Sequence, residues 1–162
     1  MLKSFISTGL VAGTLLAGTS AIALTDIESV DVSVDLEAIQ NEKAALYWTS
    51  IADDLETAII QRITDRIADK GTTVEIDIDE VSLANTFESV LDLEQSTLVG
   101  MVEVDDYPNA GKNQEYQLTV SYLQAQQFFP ENVDISKITA DSPEYYEGMI
   151  AAFADRVVEK LP

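Results

Sequence analysis

Residues 48–79 read WTSIADDLETAIIQRITDRIADKGTTVEIDID, and within them the hydrophobic periodicity changes from that of a helix to that of a strand. In the first part, apolar side chains recur at spacings of three and four, as on a helix with one face in the core; they are Trp48, Ala52, Leu55, Ile59, Ile63 and Ile67. After Gly71 the spacing becomes two, because Val74, Ile76 and Ile78 alternate with acidic residues. The stretch therefore predicts an amphipathic helix followed by a half-buried strand.

The predicted helix extends from about residue 41 to residue 69. Asn41 is a typical N-cap, and Glu42 suits the positive end of the helix dipole. At the other end, Lys70 complements the last carbonyl groups and Gly71 is the residue that most often follows a helix. Arg62 and Arg66 lie one turn apart near this end, and we expect them to form surface ion pairs with neighbouring aspartates.

Three further segments alternate with a period of two and predict strands. The first lies before the helix, with one side formed by Val30, Val32, Val34 and Leu36. The other two, residues 98–105 and 115–124, flank a turn-rich segment and predict a β-hairpin. Residues 81–91 fit either a strand or a helical turn.

The last element is predicted to be a helix that begins at Ser142. Serine is a favoured N-cap, and Pro143 then occupies the first helical position, where its missing N–H is tolerated. The helix continues towards the end of the chain with a regular apolar stripe, which consists of Tyr146, Met149, Ile150, Phe153, Val157 and Leu161.

Together these elements predict a single acidic α+β domain over residues 24–162, in the order β-α-β-(β)-β-β-α. We expect a two-layer sandwich: a mainly antiparallel sheet of about four strands, with two helices packed on one face. The other face of the sheet would meet solvent. Its side chains are expected to be mostly acidic, with Asp31, Asp35, Glu75, Asp77, Asp79 and Glu103 among them.

Residues 1–23 predict a cleavable secretory signal peptide. Lys3 precedes an apolar stretch that ends in Ala21-Ile22-Ala23, which fits the small-x-small rule for signal peptidase. The alternative is a membrane anchor, but serine, threonine and glycine interrupt a segment that would need about 20 predominantly apolar residues. Because the chain has no cysteine, it cannot be lipidated there. We therefore expect an exported protein, periplasmic or secreted, with no membrane insertion after cleavage.

The composition excludes several classes of function. The chain has 29 acidic and nine basic residues and a formal net charge of −20, which repels nucleic acid. It contains no histidine and no cysteine, which excludes Ser-His-Asp and Cys-His catalysis, ordinary zinc sites and thiol redox chemistry. We expect no cofactor and no enzymatic activity. The preferred prediction is a non-enzymatic binding or accessory module of the cell envelope with a protein partner.

The acidic side chains offer one candidate site. Asp77, Asp79 and Glu80 lie close together in sequence, with Asp31 on a neighbouring strand, and Ca²⁺ or Mg²⁺ would require several such oxygen ligands. However, side chains two apart on one strand stand about 7 Å from each other. A solvated acidic face is therefore the preferred interpretation. A divalent-cation-binding protein is the first alternative, and a small carboxylate-dependent hydrolase is a weaker one.

Phe128 and Phe129 form the second candidate site. If they are exposed, two adjacent aromatic side chains mark a contact patch for a partner. The favoured alternative is that they pack on the core.

Overall fold

The computed structural model describes residues 24–39, 42–80, 82, 83, 93–106 and 110–162, and it confirms the α+β class. Among these residues the sheet has four strands in the order β1-β2-β3-β4. They are β1 (Ile27–Ser33), β2 (Thr72–Ile78), β3 (Thr97–Asp105) and β4 (Gln114–Ser121). The pair β1–β2 is parallel and the other two neighbouring pairs are antiparallel, so the sheet is mixed.

Four α-helices lie wholly within the described residues: α1 (Glu42–Tyr47), α2 (Ile51–Arg62), α3 (Tyr122–Ala125) and α4 (Pro143–Lys160). Helices α1 and α2 lie in the connection from β1 to β2, because two parallel strands require a long crossover. Helix α2 contacts β1, α4 contacts β3 and β4, and the two helices contact each other. They form the second layer of the sandwich, and the core lies between this layer and the sheet.

The prediction of one helix over residues 41–69 is wrong. A turn at residues 48–50 separates α1 from α2, and a short 3₁₀ helix, Thr64–Arg66, follows α2. The hydroxyl of Thr49 donates to the carbonyls of Ala45 (3.1 Å) and Leu46 (2.9 Å). Hydrogen bonds of this kind compete with the backbone hydrogen bonds of a helix and commonly bend or end it. The predicted N-cap, Asn41, lies outside the described residues.

The predicted core stripe continues on both sides of the break, although Ala52 is only partly buried and the last residue of the stripe is exposed. Trp48, Leu55, Ile59 and Ile63 are all buried, whereas Ile67 is 45% exposed because the helix has already ended. Gly71 is not a helix cap either. It lies at the start of β2, so close to the backbone of Asp26 that a Cβ there would overlap the carbonyl group.

The predicted surface ion pairs of the two arginines are also wrong. Arg66 is buried, and its guanidinium donates to the carbonyl oxygens of Thr25 (3.0 and 2.7 Å) and Pro162 (2.7 Å). It thereby joins the segment before β1 to the segment after α4. Arg62 donates to the carbonyls of Ala58 (2.8 Å) and Ala151 (3.3 Å). Neither arginine belongs to the ion pairs that the described residues form.

Two strands end earlier than predicted. Strand β1 ends at Ser33, after which the Asp35 side chain accepts from the Glu37 N–H (3.1 Å) and caps a 3₁₀ turn. Strand β4 ends at Ser121, whose N–H donates to Gln124 Oε1 (2.9 Å) as α3 begins. The ambiguous segment 81–91 is helical at Ser82 and Leu83. Residue 81 and residues 84–91 lie outside the described part.

The prediction for the last helix is confirmed. Helix α4 begins at Pro143, and the Ser142 hydroxyl accepts from the Tyr145 N–H (3.4 Å). The predicted signal peptide, residues 1–23, lies outside the described residues. Within the described ranges, no helix is both long enough and apolar enough to cross a membrane.

Candidate functional site

The open face of the sheet carries a row of four carboxylates, one from each strand. The strand register places Asp31 opposite Glu75, Glu75 opposite Glu103, and Glu103 opposite Glu115. All four are exposed, as predicted for the three on β1 to β3. Side chains directly opposite each other on neighbouring strands are close enough to interact, and like charges in this position are destabilising. None of the ion pairs among the described residues neutralises this row.

The structure does not gather the predicted cation ligands into one group. Asp77 lies on the open face, where its carboxylate accepts from the Ser33 hydroxyl (3.2 Å). Asp79 lies beyond the end of β2 and accepts from the Ser82 N–H (2.6 Å), whereas Glu80 accepts from the Asp35 N–H (2.8 Å). The described residues contain no group of three or more acidic side chains placed to hold a metal ion.

Phe128 and Phe129 are half-buried and pack against the core. The Phe129 ring lies 5.8 Å from the ring of Tyr122, measured between centroids. It also covers Gly148 on α4 so closely that a Cβ at that position would overlap the ring. Phe129 therefore anchors the segment after α3 to α4, and only part of each of the two side chains is accessible to a partner.

A larger concave surface than any at these two candidate sites lies between α2 and α4. This groove has a volume of about 390 Å³, and its lining includes Asp54, Thr57 and Arg62 from α2 and Tyr146, Glu147 and Ala151 from α4. Arg62 bridges the two helices at one end through its bonds to Ala58 and Ala151. Near the other end, the Tyr146 hydroxyl donates to Asp54 Oδ2 at 2.6 Å. Both ends of the groove are thus fixed by hydrogen bonds between α2 and α4 or within α2.

A smaller pocket of about 240 Å³ adjoins the groove and shares Tyr146 and Glu147 with it. Its remaining lining residues are Tyr47, Ser50, Asp141 and Pro143. We call this pocket the corner pocket, because the rings of Tyr47 and Tyr146 meet at 89° with their centroids 5.6 Å apart. Trp48, which is buried, supports both rings from the core at centroid distances of 4.9 and 5.4 Å.

Burial and neighbouring groups keep the two tyrosines of the corner pocket neutral. Burial raises the pKa of Tyr47, and the phenols of Tyr145 and Tyr146 and the negative charge of Asp141 add to the rise. Burial also raises the pKa of Tyr146, as does its hydrogen bond to Asp54. Each phenol therefore remains a hydrogen-bond donor, and each ring presents an uncharged aromatic face.

Sequence reasoning missed the residues that form these two cavities. Tyr146 was assigned to the buried stripe of α4, and Asp54, Asp141 and Glu147 were not distinguished from the many other acids of the chain. One feature of the sequence could have pointed to these cavities: Tyr47 directly precedes Trp48, the first residue of the apolar stripe of the predicted helix. The contact of this pair with Tyr146 depends on how the end of α1 and the turn after it lie against α4, which periodicity does not specify.

No family model and no curated protein matches the chain. Among solved structures, it is similar to a crystal structure of a protein from Caulobacter crescentus that is provisionally classed as a lipoprotein. The TM-score is 0.33 and the sequence identity is 9%, and the match covers 82% of this chain and 93% of the other. A similarity this low identifies neither a family nor a function. The fold and the site themselves define an acidic two-layer α+β domain with a groove between its two main helices.

Proposed function

We propose that the protein is an exported, non-enzymatic binding module that holds a protein partner of the cell envelope in the groove between α2 and α4. The observation that carries the proposal is the pair of adjoining cavities, in which aromatic, aliphatic and charged side chains converge. Binding sites are typically concave and combine apolar walls with a few placed polar groups, and clefts between helices are common locations. Export to the envelope is supported by the signal-peptide pattern of residues 1–23.

The dimensions favour a polypeptide over a small molecule. The lining residues on α2 and the turn before it run from Ser50 to Arg62, which corresponds to about 18 Å along a helix axis. An extended chain of about five or six residues spans that distance. The groove therefore offers contacts along a short segment of a partner, with Arg62 at one end and the corner pocket at the other.

Two features support a binding role over a catalytic one. The whole chain lacks histidine and cysteine, so the usual nucleophile and base pairs cannot be assembled. Within the groove, the Asp54 carboxylate already accepts from the Tyr146 hydroxyl, and the Arg62 guanidinium donates to two backbone carbonyls. These groups hold the shape of the groove and are already engaged in hydrogen bonds.

Photo-crosslinking in the native cell envelope tests the binding surface. A photoreactive amino acid at Thr57, which is exposed in the groove, should form a discrete covalent complex with a partner. The matched control is Thr119, which is also exposed and lies on the open face of β4. A complex formed from Thr57 and not from Thr119 supports the proposal. No complex from Thr57, or equal complexes from both positions, contradicts it.

Export is tested separately by intact-mass measurement of the protein isolated from the envelope or the medium. Cleavage after Ala23 should leave Leu24 as the first residue. A full-length species that stays in the membrane fraction would contradict the export part of the proposal.

A further inference from the structure

We propose that the corner pocket receives a lysine or arginine side chain from a basic polypeptide that lies along the groove. This inference rests on the proposed function, because the same partner occupies both cavities. It adds the chemical class of that partner and the position of its anchoring side chain.

The walls of the corner pocket have the geometry that recognises an organic cation. Tyr47 and Tyr146 both line the pocket, and their rings meet nearly at a right angle with centroids 5.6 Å apart. A cation within about 6 Å of a ring centroid is attracted by the negative face of the ring. A cation in this pocket therefore lies beside two aromatic rings, and we expect it to contact the face of at least one of them.

Both rings are held in place before any ligand arrives. The Tyr47 hydroxyl donates to the Ser142 carbonyl (3.2 Å), and the Tyr146 hydroxyl donates to Asp54 (2.6 Å). Trp48 packs behind them in the core. Since little side-chain freedom remains to be lost on binding, the pocket is preorganised, which favours affinity.

The charges around the pocket are complementary to a cation. Asp141 and Glu147 are exposed at its rim, and Asp54 lies in the adjoining groove. The residues that line the corner pocket include no lysine or arginine. The formal net charge of −20 extends this preference over the whole surface, and it speeds the encounter with a basic partner.

The volume favours one long side chain. Pockets for drug-sized ligands usually measure about 300 to 1,000 Å³, and the corner pocket, at about 240 Å³, lies below that range. Lysine and arginine carry apolar stems that can lie along the aromatic rings while the charged group reaches the carboxylates at the rim. The continuous groove beside the pocket then accommodates the neighbouring residues of the same polypeptide.

The first experiment uses the exported protein and two synthetic probes. One is a capped heptapeptide of alternating glycine and lysine, and the other is the same peptide with every lysine acetylated on its side chain. Trp48 is the only tryptophan of the chain and contacts both rings, so its fluorescence reports on the pocket. The lysine peptide should shift its emission saturably, and the acetylated peptide, which is neutral, should not.

The second experiment locates the binding with variants, using dissociation constants from NMR titrations. Glu147→Gln and Asp141→Asn should each weaken binding of the lysine peptide about two- to fivefold, as expected for a partly exposed cation site. The matched control, Glu103→Gln, removes the same charge on the opposite face and should have a smaller effect. Tyr146→Phe keeps the aromatic face and should keep most of the affinity, whereas Tyr146→Leu should weaken binding about fivefold or more.

Three results would overturn the inference. Equal weakening by Glu103→Gln and Glu147→Gln would show that binding reflects diffuse charge. Equally tight binding of a free diamine would show a site for small amines in place of a polypeptide. No binding of the lysine peptide, together with a specific cross-link at Thr57, would reject this inference and leave the proposed function standing. Absence of the Thr57 cross-link rejects the proposed function itself.

Discussion

At the scale of single residues, two leucines on neighbouring helices have opposite environments. Leu55 on α2 is fully buried, whereas Leu46 on α1 is 75% exposed. Leu55→Ala should lower the free energy of unfolding by about 2 to 5 kcal/mol, because apolar contacts are lost and a cavity remains. Chemical denaturation measures the change. Leu46→Ala is the matched control and should change stability by less than about 0.5 kcal/mol. Similar effects of the two substitutions would mean that the buried face of α2 is misassigned.

Two glycines provide a second comparison at the residue scale. A Cβ at Gly71 would overlap the Asp26 carbonyl, which cannot move freely because it accepts from the Thr72 N–H (2.9 Å). Gly71→Ala should therefore destabilise the protein by about 1 to 3 kcal/mol, as other overpacked sites do. At Gly111 an added Cβ meets nothing within 4 Å, so Gly111→Ala should be close to neutral. Thermal melts of the two variants decide the matter, and a neutral Gly71→Ala would contradict the close approach of β1 and β2.

At the scale of secondary-structure elements, the carboxylate row across the open face makes β2 a centre of repulsion. Glu75 lies between Asp31 and Glu103, and no basic side chain of the described residues pairs with it. Glu75→Gln should therefore raise the free energy of unfolding by about 0.2 to 1 kcal/mol. Glu131→Gln removes the same charge from an exposed loop and should give a smaller gain. Equal gains, measured by chemical denaturation at low salt, would indicate that only the total charge matters.

The elements also show what the sequence could predict. Strands β2, β3 and β4 and helix α4 were predicted because their periodicity and their boundary residues agree, as at Ser142 and Pro143. The long helix failed because the apolar spacing continues across residues 48–50, where the chain turns. The hydrogen bonds from the Thr49 hydroxyl that favour the turn cannot be inferred from the spacing of apolar residues.

The candidate site was harder to predict for a different reason. Tyr47 and Tyr146 belong to helices far apart in sequence, and their right-angle contact depends on how the end of α1 meets the start of α4. The acidic open face, by contrast, needed only the alternation of each strand. What the alternation could not supply was the strand register, which places Asp31, Glu75, Glu103 and Glu115 in one row.

At the scale of the whole molecule, self-repulsion is the dominant electrostatic feature. The formal net charge of −20 over the whole chain opposes compaction, and the described residues offset little of it, since their ion pairs are few and mostly exposed. Added salt screens such repulsion, with a Debye length of about 10 Å at 0.1 M. The same charge would accelerate binding of a basic partner, so stability and recognition should depend on salt in opposite directions.

Melting temperatures at controlled ionic strength test this electrostatic account. The melting temperature should rise with NaCl and should show no additional step with micromolar Ca²⁺ at matched ionic strength. The reason is that Asp79 and Glu80 accept hydrogen bonds from backbone N–H groups, and the described acidic residues form no metal-holding group. A discrete Ca²⁺ site would behave differently. Ca²⁺ bound only to the folded state would stabilise that state by an amount that grows with the ratio of the Ca²⁺ concentration to the Kd of the site. A Ca²⁺-specific shift that Asp77→Asn or Asp79→Asn abolishes would contradict the screening account and favour a divalent-cation-binding protein.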